Sequence, residues 1–169
     1  MIATFAGGCF WCTEAIFQRL KGVTKVTPGY TGGSMAKPSY EKVSSGVSGH
    51  AEAIQIDFDP KIISYETLLE VFFKTHDPTT LNQQGNDMGE QYRSAIYYHD
   101  AKQKELAIKA KSKIPNAVTE INKFTVFYPA EDYHKNYYDN NRSAGYCRII
   151  IDPKITKLYK EFGDLAKPA

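Results

Sequence analysis

Met1-Ile2-Ala3-Thr4-Phe5-Ala6-Gly7-Gly8-Cys9-Phe10-Trp11-Cys12-Thr13-Glu14 opens the chain. Residues 2–6 form a compact apolar run, which reads as a short buried strand. The Gly7-Gly8 pair turns the chain, and residues 10–20 carry Ala15, Ile16 and Leu20 at the spacing of one helical face. Gly22 supplies the stop. A strand, a glycine turn and a helix point to an α/β arrangement, with Cys9 near the helix N-terminus.

Outward from this stretch the pattern repeats. Residues 23–30 read as a strand, and 31–39 as a loop containing Gly, Ser and Pro. In residues 53–58, Ile54, Ile56 and Phe58 share one face while Gln55 and Asp57 take the other. Ser64 is placed to cap a helix through Leu68, Leu69, Phe72 and Phe73 to about Thr75, ended by Asp77-Pro78. Residues 81–92 are too polar for a core. Residues 94–98 read as a strand, and Asp100 with Gln103 opens a lysine-rich helix. Strands are predicted at 117–121 and 124–127, and a tyrosine-rich helix at 130–139, broken by Asp139-Asn140-Asn141. A last strand is predicted at 148–151, and a C-terminal helix after Pro153. The order predicts helices packed on one mixed sheet, in a single domain over residues 1–169.

The length suffices for a sizeable core, and 42% hydrophobic with 13% aromatic residues excludes a disordered chain. With 21 basic against 19 acidic residues the net charge is +2, so nothing calls for nucleic acid or an anionic membrane. No apolar run reaches 18 residues, so no transmembrane helix is expected. The N-terminus lacks the basic stretch and long apolar run of a secretory leader. A cytoplasmic monomer is the expectation.

Three cysteines in a reducing compartment are poor staples, and an odd count argues against a closed disulfide framework. Cys9 and Cys12 make one close pair, but Cys147 and the four histidines supply no second pair of the kind a structural zinc site uses. A Cys-x-x-Cys at a strand-to-helix turn suits a redox dithiol, because the helix N-terminus favours the thiolate. Phe10-Trp11 between the cysteines is bulky for a protein that docks on many disulfides. Buried cysteines that only pack are also common, yet the glycine pair lets a backbone or ligand approach Cys9 closely. A reactive thiol is therefore favoured over inert core.

Four further clusters stand out. They are Gly29-Tyr30-Thr31-Gly32-Gly33, Gly46-Val47-Ser48-Gly49-His50-Ala51-Glu52, the run from Gly85 to Ser94, and Tyr133-His134-Lys135-Asn136-Tyr137-Tyr138. Singly they read as a turn, a solvated strand edge, a polar loop and a packing face. Together, in order, with Gly8-Cys9-Phe10-Trp11 and the late Gly145-Tyr146-Cys147, they resemble the A-type peptide methionine sulfoxide reductases over nearly the whole chain.

That resemblance implies a fold and a chemistry. The fold implied is α+β, a two-layer α/β sandwich with a mixed sheet and a ferredoxin-like core. The activity implied is reduction of the S epimer of methionine sulfoxide, free or in oxidised proteins, with no bound cofactor or metal. Thioredoxin, or dithiothreitol in its place, is the implied reductant. By the match, Cys9 is the nucleophile, Glu52 donates a proton to the sulfoxide oxygen, Tyr30 and Tyr92 hold that oxygen, and Asp87 orders water and substrate. Phe10 and Trp11 form a pocket for the substrate methyl group, with His134 and Tyr137 as further binding residues. A sulfenic acid left on Cys9 needs a second thiol to resolve it. Cys147 matches the family's resolving position; Cys12 stands where many relatives have glycine, and its helical spacing also suits a disulfide.

Overall fold

The computed structural model describes all 169 residues. Eight strands are present: β1 (Ile2–Gly7), β2 (Val23–Thr31), β3 (Ala51–Phe58), β4 (Gln83–Gln84), β5 (Asp87–Met88), β6 (Ser94–Tyr98), β7 (Glu120–Lys123) and β8 (Phe127–Pro129). The helices are α1 (Phe10–Phe17), α2 (Tyr40–Ser44), α3 (Tyr65–Thr75), α4 (Ala101–Ser112), α5 (Tyr137–Asn140) and α6 (Asp152–Phe162). Six strands form one sheet in the order β7-β6-β1-β3-β2-β8, and β4-β5 form a separate ribbon. Every pair in the large sheet is antiparallel except β6 with β7, so the sheet is mixed.

Its centre is ferredoxin-like. Strands β1, β2, β3 and β6 with helices α1 and α3 run β-α-β-β-α-β, and the spatial order β6-β1-β3-β2 is antiparallel throughout. Strand parity divides the sheet into two unlike faces. Phe5, Tyr30, Ile54, Ile56 and Ile96 pack with Phe10, Ile16, Phe17, Leu68, Leu69 and Phe72 in the main core. The other face carries Ala6, Ala51, Ala53 and Ala95 with Tyr97, roofed by Phe124 and Phe127. Large side chains on one face and alanines on the other leave the helices a single side to bury against.

The caps follow the sequence. Ser64 accepts from Thr67 N–H at 3.1 Å and Asp100 from Gln103 N–H at 2.8 Å. Several boundaries differ from expectation. Helix α1 stops at Phe17, and Leu20 instead makes an isolated bridge to Ala166. The strands expected at 117–121 and 124–127 lie at Glu120–Lys123 and Phe127–Pro129. Short apolar runs leave register open, and pairing of Ile121 with Ile96 and of Tyr128 with Tyr30 decides it.

Residues 130–139 are not one helix. A 3-10 turn at Asp132–His134 and α5 are separated by Asn136, which has φ +53°. The strand expected at 148–151 is a π-helical turn, Cys147–Ile151, leading straight into α6. Three isoleucines favour extended chain locally, but Ile151 is fully buried among the cysteines while Ile149 is exposed. Burial of one side chain outweighs the local preference. The one-turn helix α2, capped by Ser39, is too short to show a period in sequence.

Candidate active site

Cys9 sits at the N-cap of α1, 8% exposed. Gly8 has φ +90°, and a Cβ there would come within 2.6 Å of Gln84. Only glycine lets β1 turn so sharply into α1. The Cys9 carbonyl accepts from Cys12 N–H and Thr13 N–H at 3.1 and 3.4 Å, closing the first turn of the helix.

Glu52 reaches this turn from below. It lies in phase with Ile54, Ile56 and Phe58, so strand parity points it under α1 and into the core. It is 2% exposed, and its Oε2 accepts from Phe10 N–H at 3.0 Å. Burial pushes the carboxyl up to about 8; the Phe10 amide opposes this, and the charges of Asp87 and Cys12 add to it. At neutral pH Glu52 is a buried acid that still holds its proton.

Cys9 and Cys12 share a hydrogen bond and titrate as a pair. Burial, the bond to Cys12 and the Glu52 charge hold Cys9 well above the usual thiol range. Cys12 is lowered to about 7, first by its hydrogen bond with Cys9. One proton of the pair is thus released near neutrality and the second is retained. The first anion lies on Cys12, hydrogen-bonded to the thiol that Cys9 retains.

The aromatic residues form a cage on one side. Phe10 is fully buried, its ring centroid 5.0 Å from His134 and 5.7 Å from Tyr30. Trp11 stacks on Tyr137 at 3.7 Å with a 7° interplanar angle, and its indole N–H donates to His134 Nδ1 at 3.0 Å. That bond places the imidazole proton on Nε2, which is buried without a partner. Burial lowers the His134 pKa, so the ring is neutral.

The polar loop supplies the opposite side. Asp87 Oδ2 accepts from Tyr146 O–H at 2.8 Å, and the same hydroxyl lies 3.6 Å from Cys12 Sγ. Gly89 adopts φ 134° to start the turn Glu90–Tyr92. Gln91 Nε2 donates to Ser44 O and Arg93 Nη2 to Gly49 O, tying the loop to α2 and to the turn that leads into β3. Tyr92 faces the charges of Glu52, Cys9 and Asp87, and burial and these charges raise its pKa.

One expected site residue has its hydroxyl bonded elsewhere. Tyr30 pairs with Glu52 across β2 and β3, but its ring belongs to the core and its hydroxyl donates to Glu131 Oε1 at 2.9 Å. Its proton is committed there. Tyr40 packs against the cage instead. It was not singled out in the sequence because it lies outside every cluster noted there, yet it faces the charges of Glu52 and Cys9, with its ring 4.5 Å from His134. Glu131 fixes it by accepting from Tyr40 N–H at 3.0 Å. Tyr146 was also missed as a site group; its position next to Cys147 was the available signal.

Cys147 is fully buried and joins Cys9, Cys12, Ala15, Tyr138 and Ile151 in one small cluster. Burial raises its thiol pKa, with the charges of Asp152 and Cys12 adding. No three His, Cys, Asp or Glu side chains converge as a metal site requires. No helix is long and apolar enough to cross a membrane.

The chain is similar to known proteins in sequence and fold. The family model described as peptide methionine sulfoxide reductase matches residues 1–165. A relative from Acinetobacter baumannii, named peptide methionine sulfoxide reductase MsrA, is 53% identical over 169 residues, covering 98% of this chain and 97% of its own. One of the same name from Sulfolobus acidocaldarius is 51% identical, with the same coverage. Among solved structures, reduced Mxr1 from Saccharomyces cerevisiae superposes with a TM-score of 0.82 at 35% identity, over 87% of this chain and 88% of that one. Mxr1 in complex with Trx2 matches with a TM-score of 0.57 at 27% identity, over 81% and 84%. The fold, the cysteine at the helix start and these likenesses agree: the chain belongs to the peptide methionine sulfoxide reductases of the A type, a family of oxidoreductases.

Proposed function

We propose that this chain reduces the S epimer of methionine sulfoxide, free and in oxidised proteins, with Cys9 as nucleophile and Glu52 as acid. One observation carries the assignment of roles: a buried carboxyl, protonated to about 8, bonded to the amide that follows the nucleophile. Sulfoxide oxygen leaves poorly as an anion, so a neutral acid beside a thiolate is the pairing the reaction needs.

Cys9 gives its proton to Cys12 along the hydrogen bond they share, and the Cys9 thiolate so formed attacks the sulfoxide sulfur while Glu52 protonates the oxygen. Tyr40 and Tyr92 donate hydrogen bonds to that oxygen and stabilise the charge developing on it. Asp87 orders water and the substrate amide. The oxygen passes to Cys9, methionine leaves, and Cys9 is a sulfenic acid. A thiol then attacks the Cys9 sulfur, water departs, and a disulfide forms. The balance is one sulfoxide and two thiols to one thioether, one disulfide and water.

Cys12 is the first resolving thiol in this reading, because it already hydrogen-bonds Cys9 and ionises near neutral pH. Cys147, which shares the cluster with Cys12, then exchanges with that disulfide and carries it to the outside reductant. Thioredoxin is that reductant, with dithiothreitol as its substitute, and no bound cofactor takes part. The likeness to Mxr1 in complex with Trx2 supports this choice. We place the reaction in the cytoplasm, in a monomer.

Trp11, Phe10, His134 and Tyr137 form the pocket for the substrate methyl group. Contacts of sulfur and methyl with aromatic rings contribute on the order of 1 kcal/mol each. Exchanging methyl and oxygen would set a polar atom against ring carbon, which selects one epimer. The test is turnover with dithiothreitol on separated S and R epimers. Reduction of S alone is expected, and no reduction of either overturns the reading. Disulfide reduction of insulin without sulfoxide turnover would assign the chain to general thiol–disulfide exchange instead.

A further inference from the structure

Glu14 has no part in the chemistry above, yet it is 2% exposed and charged residues are rarely buried without a task. It lies on α1 three residues beyond Trp11, so both side chains project from one face of the helix. Its Oε1 accepts from Asn136 N–H at 2.9 Å, and its carboxyl also receives the Tyr137 N–H. These amides open α5, whose N-cap residue Asn136 makes no side-chain cap. First-turn amides need acceptors, and here another helix provides them. Asn136 is held in the left-handed region, at φ +53°, as this turn is formed.

The turn sets the far wall of the aromatic cage. Tyr137 leaves it to stack flat on Trp11, and His134, two residues before Asn136, accepts the Trp11 indole N–H. Without an anchor, α5 has only four residues and would not hold a ring in place by itself. The carboxyl ties this wall to the helix that bears the nucleophile. Burial pushes Glu14 up to about 7, the two amides pull it down and the Asp139 charge pushes it up, so the group is retained against a desolvation cost.

We propose that Glu14 is a positioning residue: it fastens the Asn136–Tyr137 turn to α1 and so fixes the Trp11–Tyr137 stack as a preformed methyl-binding wall. This rests on the sulfoxide-reducing function proposed above. Glu14 acts on substrate affinity and leaves the limiting rate of attack by Cys9 alone, since Glu52 and the thiols are bonded elsewhere.

Trp11 is the sole tryptophan, so its fluorescence reports the wall directly. In reduced Glu14→Gln, acrylamide quenching of Trp11 is expected to increase. The sulfoxide concentration for half-maximal single-turnover rate should rise roughly tenfold with the limiting rate unchanged. Tyr137→Ala should raise the same concentration, and the double variant should go no further. A folded Glu14→Gln with unmoved quenching and half-saturation overturns the inference, as does full additivity in the double variant. If Glu14→Gln does not fold, Tyr137→Ala decides: no change in quenching or half-saturation refutes the wall. A wild type inactive on both epimers overturns the proposed function, whereas an active wild type with an indifferent Glu14→Gln overturns only this inference.

Discussion

Replacing Glu52 by Gln should make the protein less active and, at alkaline pH, more stable. In the folded chain the carboxyl keeps its proton to about 8, against 4.5 ordinarily. Between these values the unfolded chain has released a proton that the folded chain still binds, so stability falls as pH rises and levels off above 8. The gap is about 3.5 pH units at about 1.4 kcal/mol each, a full loss of about 5 kcal/mol. From pH 5 to pH 9 the same relation predicts a change of about 4 kcal/mol. Glutamine keeps an acceptor for Phe10 N–H but has no proton to lose.

Glu14, up to about 7, contributes with the same sign, and His76, lowered by burial to about 4, with the opposite sign. Both are present in both proteins and cancel in the difference. Urea unfolding of reduced wild type and Glu52→Gln from pH 5 to 9 should show the variant gaining about 4 kcal/mol relative to wild type. A difference that stays flat with pH refutes the buried, protonated carboxyl. The single-turnover rate should fall by roughly 10²–10⁴-fold with the acid removed. In wild type that rate should peak between about 7, where the cysteine pair ionises, and about 8, where Glu52 loses its proton. The variant should lack the alkaline limb, and its persistence would assign that limb to another group.

Tyr40→Phe should lower the limiting single-turnover rate by roughly 10–100-fold, while Tyr30→Phe, whose hydroxyl is held by Glu131, should leave it close to wild type; stopped-flow measurement with S-sulfoxide compares them. In Cys147→Ser, thioredoxin-supported turnover should collapse while one methionine is still formed per chain. Mass spectrometry of that variant should find Cys9 joined to Cys12, and full thioredoxin-supported turnover would refute the exchange to Cys147. Cys12→Ser should accumulate sulfenic acid on Cys9, seen by dimedone labelling, and a fully active Cys12→Ser removes Cys12 from the pathway. Phe72→Ala, emptying a site 1% exposed and 4.9 Å from Phe5, should cost about 3–5 kcal/mol by urea unfolding.

The site was legible through the joint order of its motifs, and local turn and period signals add where two of its residues sit. Gly7-Gly8 before Cys9 announces a thiol at a helix start, and the alternation through Phe58 carries the parity that buries Glu52. Tyr30 and Tyr40 show the limit. A tyrosine in a glycine loop looks like a presented side chain, and nothing local tells that its hydroxyl ends on Glu131, 101 positions away. Tyr40 follows a nondescript loop, and only the bonds from Gln91 to α2 and from its own amide to Glu131 hold it beside His134. The Ile149-Ile150-Ile151 run misled for a related reason: its conformation answers to a buried cluster contributed by α1, not to its own propensity.

Sequence alone determined most of the strands and helices, the capped helix starts and a thiol at a glycine turn, because periodicity, capping and glycine turns are short-range physics, while the roles of Cys9 and Glu52 came with the family resemblance. Tertiary structure decided which partners the tyrosine hydroxyls take, how the three thiols are grouped and what receives the Asn136 amide. Those depend on hydrogen bonds and burial between segments more than a hundred residues apart, such as Glu14 with Asn136 across 122 positions. No local pattern encodes such a pairing; it exists only once the sheet has brought the segments together.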